Sequence, residues 1–276
     1  MSNVNKFGLP NNFGNQQPFS RPAGFYQVPT DFVELPSQGK FYSKDSPLYG
    51  LEKLEIKYMT AREEDLLVSP SLKKEGVAID RVIESLLVDK NIRTNDLLVG
   101  DKTAILINAR KNAYGAEYKF PFVCTKCGHL NEQEESLENV KSKEIKEDEF
   151  SKITENGTIL ITLPKSKATV ELKILTSEDE QMITKAIEKR SKNNLPPESL
   201  LTRYRQMFVS VNGDTDIEFI VSFIANMPIA DSAFLKKRYV MLTPDVEFKY
   251  SKHCSECSTL NEGEVPILAN FFWPDL

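Results

Sequence analysis

The chain has 276 residues, 40% of them apolar, and a formal net charge of −5, which suits one large domain or two modest ones with ordinary hydrophobic cores. Its longest apolar runs, AILINA and FIVSFIANM, fall far short of the roughly 20 residues that span a bilayer, so no transmembrane helix is expected. The N-terminus lacks the basic start and apolar block of a secretory signal, which predicts folding in a reducing cytosol.

The acidic excess is local. Gly128 to Phe150 holds eight carboxylates against three lysines, and the remainder is near neutral. A nucleic-acid binder needs a basic face to displace phosphate counterions, and beyond RYRQ and LKKRY, on predicted helices, the sequence has no such feature. The acidic segment reads as a solvated face or loop.

Residues 1–30 are dense in Asn, Gln, Pro and Gly and nearly free of aliphatic side chains. Such a stretch buries too little apolar surface to offset its ordering entropy and is expected to be an extended or disordered arm. Its phenylalanines, Phe7, Phe13, Phe19 and Phe25, recur every six residues. An even spacing in an extended chain puts all four on one side, as a peptide laid along a partner would require; the alternative is a plain flexible arm with chance spacing.

After the arm, Pro36–Gly39 and Leu48–Gly50 are turn signals between short β-type segments, the last being LEIKYM. Thr60 with Glu63 forms a capping box that opens a helix. Helices are predicted near 61–67, 79–89 and 102–113, the last capped by Asp101, closed by Gly115, and apolar along Ala104, Ile105, Leu106, Ile107 and Ala109. EYKFPFV reads as a strand. GTILITL and ATVELKIL predict a hairpin around Pro164–Lys167, and a second capping box, Ser177 with Glu180, starts a helix to about Lys192. Further helical stretches follow near 197–211, 215–226 and 230–241, and VEFKYS reads as another strand.

All four cysteines and both histidines fall in two places, VCTKCGHLNE and SKHCSECSTLNE. The two-residue gap in Cys124–Cys127 and in Cys254–Cys257 lets one tight turn present two thiolates to a metal, and a tetrahedral Zn2+ takes four. Strands flank each pair, so two hairpins with facing tips, a zinc ribbon, are expected. Between Cys127 and Cys254 lie residues 128 to 253, 126 of them, where a ribbon usually has 15 to 20. Closing so long a loop costs about 4 kcal/mol in its length-dependent part, against roughly 10–16 kcal/mol of apparent binding energy for a structural zinc. The metal outweighs the loop.

Three other readings exist: a redox dithiol, for which no thioredoxin-like βαβ setting is visible; buried free thiols; and two half-sites completed by another subunit. His253 adjoins Cys254 and His129 lies two beyond Cys127, so both crowd the turn they would join and are expected outside the ligand set. A closed four-sulfur site has no open position for water and argues for structure over catalysis. The sequence has no phosphate loop, G-x-S-x-G elbow or H-E-x-x-H. Glu63, Glu64 and Asp65 at a helix start complement the dipole rather than serving as catalytic acids. No catalytic residues are assigned. The tail ANFFWPDL clusters Phe271, Phe272 and Trp273, either a plug on its own domain or an interface anchor.

These elements predict an α+β fold: a mainly helical body with short β-hairpins and a discontinuous zinc ribbon, preceded by the arm. The expected divisions are residues 1–30; 31–127 with the first knuckle; 128–253 as an inserted hairpin and helical domain; and 254–276 with the second knuckle and aromatic tail.

FVELPSQGKFY, LEIKYMTAREEDLL and LLVGDKTAILINARKNAYG, followed by a strand and CTKCG, resemble the baseplate hub assembly family of T4-like contractile-tailed phages. The likeness covers roughly residues 31–130, and ELPSQGKFY and YMTAREEDLL are its specific part. It implies a late viral protein of tail assembly, a structural subunit or a chaperone, acting without catalysis on other baseplate or hub proteins. Its expected location is the host cytoplasm during assembly and the virion tail baseplate. No site residues carry over, because the implied function is contact. The alternative from a different class is a zinc-ribbon nucleic-acid-binding protein, resting on LTRYRQ and LKKRY.

Overall fold

The computed structural model describes residues 27–69, 77–267 and 271–272; Phe7, Phe13, Phe19, Phe25 and Trp273 lie outside these residues. The fold is α+β, with seven α-helices and several small antiparallel sheets among the described residues.

Buried Val33 between exposed Phe32 and Glu34, and buried Leu54 and Ile56 alternating with polar neighbours, give two half-buried strands, β1 (Thr30–Glu34) and β2 (Lys53–Lys57). They pair antiparallel with Thr30 opposite Lys57 and Glu34 opposite Lys53. Helix α1 (Ala61–Val68) starts where the capping box predicts: the Thr60 N–H donates to the Glu63 carboxylate at 2.9 Å, and the Thr60 side chain accepts from the first turn. Burial would raise the Glu63 carboxyl, but the Thr60 hydrogen bonds outweigh it and hold it below the usual range. Helix α2 (Ala78–Leu86) packs on α1.

Helix α3 (Val99–Tyr114) closes at Gly115, whose φ of +91° favours a residue without Cβ. It begins three residues earlier than expected, and Asp101 is not its cap. Asp101 lies within the first turn, fully buried, and accepts the Ser37 N–H at 2.9 Å, the Ser37 hydroxyl at 2.6 Å and the Tyr42 hydroxyl at 2.7 Å. The Tyr42 oxygen in turn accepts the Leu98 N–H at 3.0 Å. Residue type alone suggested a cap, but three donors from a loop 59 and 64 residues away claim the carboxylate. Burial pushes the Asp101 carboxyl above its usual range despite those donors.

Close backbone approaches lock this corner. A Cβ on Gly39 would lie 2.2 Å from the Leu51 nitrogen, and one on Gly100 would lie 2.2 Å from the Pro244 carbonyl oxygen. The PSQGKFY segment is therefore a fitted loop that seats the N-terminus of α3.

Strands β3 (Glu117–Val123) and β4 (Leu130–Ser136) form a hairpin in register from Glu117 opposite Ser136 to Val123 opposite Leu130. Strand β5 (Lys141–Ser142) pairs with β10 (Val246–Glu247), which brings the two ends of the long excursion together at the base of the two cysteine-bearing hairpins, the end away from the knuckles. Inside it, β6 (Ser151–Ile153), β7 (Ile159–Thr162), β8 (Thr169–Leu172) and β9 (Phe208–Val211) make a four-stranded antiparallel sheet in chain order. The β7–β8 hairpin is the predicted one, and Asp231 grips its turn by accepting the N–H groups of Lys165 at 2.7 Å and Ser166 at 2.8 Å.

Helix α2 stops at Leu86, short of the expected 89, and two further boundaries differ from expectation. Helix α4 (Ser177–Lys192) is capped one residue earlier than Ser177, by Thr176, in a box closed by Asp179; Glu180 instead pairs with Arg203 at 2.6 Å. Helix α5 (Ser199–Met207) ends well before 211, because FVSV leaves it as β9 and pairs with β8, Val211 facing Val170. An aromatic and β-branched run next to an open sheet edge takes the strand conformation. Helices α6 (Ile217–Asn226) and α7 (Ile229–Leu242) follow, then β11 (Lys249–His253) and β12 (Leu260–Glu264), paired antiparallel.

One hydrophobic cluster runs from Val33 through Ile105, Phe120, Ile159 and Leu235 to Phe272. Of the aromatic tail, Phe271 and Phe272 are buried in it, Phe271 edge-on to Tyr118 at 5.0 Å. The Phe271 carbonyl accepts from buried Arg110 at 2.9 Å. These two residues plug their own fold.

Candidate metal centre

The β3–β4 and β11–β12 hairpins end in turns of matching construction. In the first, the Cys124 N–H donates to the His129 carbonyl at 2.9 Å and the Gly128 N–H donates to the Cys124 carbonyl at 3.0 Å. In the second, the Cys254 N–H donates to Thr259 at 2.9 Å and the Ser258 N–H donates to Cys254 at 3.0 Å. Gly128 has φ +72° and Ser258 has φ +55°, the left-handed conformation that the turn requires at this place.

The hairpins are held tip to tip. Tyr250 of β11 lies against Phe120 and Phe122 of β3, both ring centroids 5.2 Å away. Lys252 pairs with Glu135 across the two hairpins at 2.7 Å, and the Tyr118 hydroxyl donates to the Pro266 carbonyl at 3.0 Å. This docking brings Cys124 to 3.6 Å from Cys257 and Cys127 to 3.6 Å from Cys254, sulfur to sulfur. All four sulfurs lie within 4.8 Å of one another.

A tetrahedron with metal–sulfur bonds of about 2.3 Å has sulfurs about 3.8 Å apart, so the cluster fits a zinc-sized tetrahedral ion. The short pairs cross between knuckles, and all four cysteines are free; a disulfide would need about 2.05 Å. Cys124 and Cys254 are buried, Cys257 is half-buried and Cys127 is exposed, which leaves one side open to an entering ion.

Backbone donors favour the thiolate in each turn. The Cys127 N–H, then that of Lys126, lowers the Cys124 thiol to about 6, and the Cys257 N–H lowers that of Cys254. The His129 N–H favours the Cys127 thiolate as well, but the neighbouring sulfurs of Cys257, Cys124 and Cys254 push its thiol up to about 12. Four negative sulfurs cannot share this volume unaided, and a divalent cation resolves the repulsion.

Both imidazoles stand outside the sulfur cluster. His129 and His253 are exposed, and the His253 Nδ1 lies 3.0 Å from the Ser258 carbonyl oxygen. Sequence reasoning missed two asparagines. Asn131 and Asn261 are each 3% exposed between the hairpins. Each sits four residues beyond the second cysteine of its own knuckle, in CTKCGHLN and CSECSTLN, and that repeated LN was the available signal.

The basic stretches that motivated a nucleic-acid reading are partly spent within the fold. Arg203 pairs with Glu180, Arg205 lies 3.7 Å from Glu198, and Arg238 pairs with Asp148 while lying over the rings of Phe150 and Phe234.

No curated protein and no solved structure matches the chain. The family model described as T4 bacteriophage base plate protein matches residues 28–273, which takes in both hairpins and the whole excursion between them. By that match over most of its length, the chain belongs to the T4 bacteriophage base plate protein family.

Proposed function

We propose that the protein is a non-enzymatic component in the structure or assembly of the baseplate hub, working through contacts with other baseplate or hub proteins. Cys124, Cys127, Cys254 and Cys257 hold a structural Zn2+ that staples the fold. The family match carries the baseplate assignment, and the convergence of four sulfurs from cysteine pairs with 126 residues between them, 128 to 253, supports the metal. When bound, the ion supplies cross-linking and charge neutralisation; four sulfur ligands leave it no open position for a substrate.

The proposed organisation keeps residues 1–30 as an arm, 31–127 with the first knuckle, 128–253 as an insertion and 254–276 with the second knuckle. Phe7, Phe13, Phe19 and Phe25 on the arm, and Trp273 in the tail, are the proposed partner anchors. The protein would act in the host cytoplasm during assembly and reside in the tail baseplate, or leave before the particle is complete as a chaperone would.

Affinity capture of the tagged protein from infected cells tests the reading. Recovery of baseplate or hub proteins is expected, and their absence counts against it. Quantitative mass spectrometry of purified particles separates a resident subunit from a chaperone. Retention of nucleic acid on filters at low salt would instead favour the ribbon as a nucleic-acid binder.

A further inference from the structure

The two asparagines have reciprocal contacts. The Asn131 Oδ1, on the first hairpin, accepts the N–H and the hydroxyl of Ser255 in the second knuckle, both at 2.9 Å. The Asn261 Oδ1, on the second hairpin, accepts the N–H of Thr125 at 2.9 Å and its hydroxyl at 3.1 Å in the first knuckle. Each amide nitrogen holds its own turn, Asn131 donating to the His129 carbonyl at 3.0 Å and Asn261 to that of Thr259 at 2.8 Å. The same nitrogens reach a sulfur of the opposite knuckle at 3.7 Å, Asn131 to Cys254 and Asn261 to Cys124.

Every polar atom of both amides is thereby used, and a flipped amide would set its NH2 group against the Ser255 or Thr125 N–H. The sulfurs they reach are the two buried ones, Cys124 and Cys254. A hydrogen bond to a thiolate stabilises its charge and fixes its direction. The long sequence separation means that no local turn sets one cysteine pair relative to the other, whereas these two side chains do so from both directions.

We infer that Asn131 and Asn261 are positioning residues for the metal, each orienting the opposite hairpin's knuckle toward it, so that the ion is held tightly only when both hairpins are docked. The inference rests on the zinc reading above. Groups around metal ligands typically change affinity about 10–100-fold when removed, and that is the effect expected of each asparagine.

The test uses the full chain with Co2+ in place of Zn2+, because thiolate-to-cobalt charge transfer is visible. The unaltered protein should take up one Co2+ per chain. Asn131→Ala and Asn261→Ala should each bind the same single ion about 10–100-fold more weakly, release it faster to a chelator, and shift the charge-transfer band to lower energy as one thiolate loses its donor. Asn131→Asp keeps the acceptor for Ser255, and so guards against simple misfolding. It should still bind more weakly with a shifted band, because it lacks the donor to Cys254 and adds negative charge beside it. Thr125→Ala should leave the band in place.

A lower melting temperature with unchanged Co2+ affinity and band in the asparagine variants would overturn the inference alone, leaving two packed polar residues. No Co2+ uptake by the unaltered protein would overturn the zinc reading and this inference together.

Discussion

Asn131 on the first hairpin accepts both the N–H and the hydroxyl of Ser255 on the second, each at 2.9 Å, across 124 residues of sequence. This contact joins a knuckle in the middle of the chain to one near its C-terminal end. Ser255→Ala removes one of the two bonds and keeps the backbone one, so a loss of about 0.5–1.5 kcal/mol is expected. Urea denaturation of the metal-loaded protein reads it.

Loss of a sulfur ligand should be far more severe. Cys124→Ser or Cys257→Ser opens one of the two 3.6 Å sulfur pairs that cross between knuckles. Zinc content should fall and the melting temperature with it, measured by metal analysis and scanning calorimetry. Equal metal content and melting in either variant would rule out a joint four-cysteine site.

The start of α4 distinguishes two adjacent hydroxyls. Thr176 exchanges hydrogen bonds with Asp179 at 3.1 and 3.3 Å, and Thr176→Ala should cost about 1 kcal/mol, as loss of a cap does. Ser177, next in sequence, has a buried hydroxyl with no partner among the described residues. Ser177→Ala should therefore cost no more than a few tenths of a kcal/mol or stabilise. Equal losses in the two variants would contradict the assignment of the cap.

At Asp101, the carboxylate serves Ser37 and Tyr42 together. Tyr42→Phe removes one donor to it and also the acceptor for the buried Leu98 N–H. A loss of about 1–3 kcal/mol is expected, the usual cost of leaving such groups unpaired. Thermal denaturation should show the drop with no change in metal content.

The pH dependence follows from Asp231. Burial would raise its carboxyl, but the Ser166 and Lys165 N–H groups outweigh that and hold it below its ordinary value. A depressed folded-state pKa gives stability that is present above the unfolded value, near 3.8, and is lost as pH falls through the lower folded one. Asp231→Asn should destabilise at neutral pH by about 1–3 kcal/mol, and the gap to the unaltered protein should narrow in acid. A gap constant from neutral pH down to strong acid would show that the charge contributes nothing.

Much of the candidate site was legible in the sequence because its chemistry is local. A two-residue gap, a small residue after the second cysteine (Gly128 in one knuckle, Ser258 in the other) and flanking strands specify a knuckle within a dozen residues, and both turns form. The Thr60 box was legible for the same reason: its partner is three residues away. Asp101, Ser177 and the FVSV strand were misread because their partners lie elsewhere. A buried loop claims Asp101, the box shifts by one residue to Thr176, and an open sheet edge captures Phe208–Val211.

What the sequence alone determined, then, is the pair of metal-ready turns, the helix-rich α+β composition, and the blocks that resemble a baseplate family. Tertiary structure alone decided that the two turns meet with their four sulfurs within 4.8 Å, and that Asn131 and Asn261 cross between them. The physical reason is distance along the chain. A hydrogen bond or a sulfur cluster is equally strong whether its partners are three or 136 residues apart, but only the packed core, from Val33 to Phe272, determines which distant groups become neighbours.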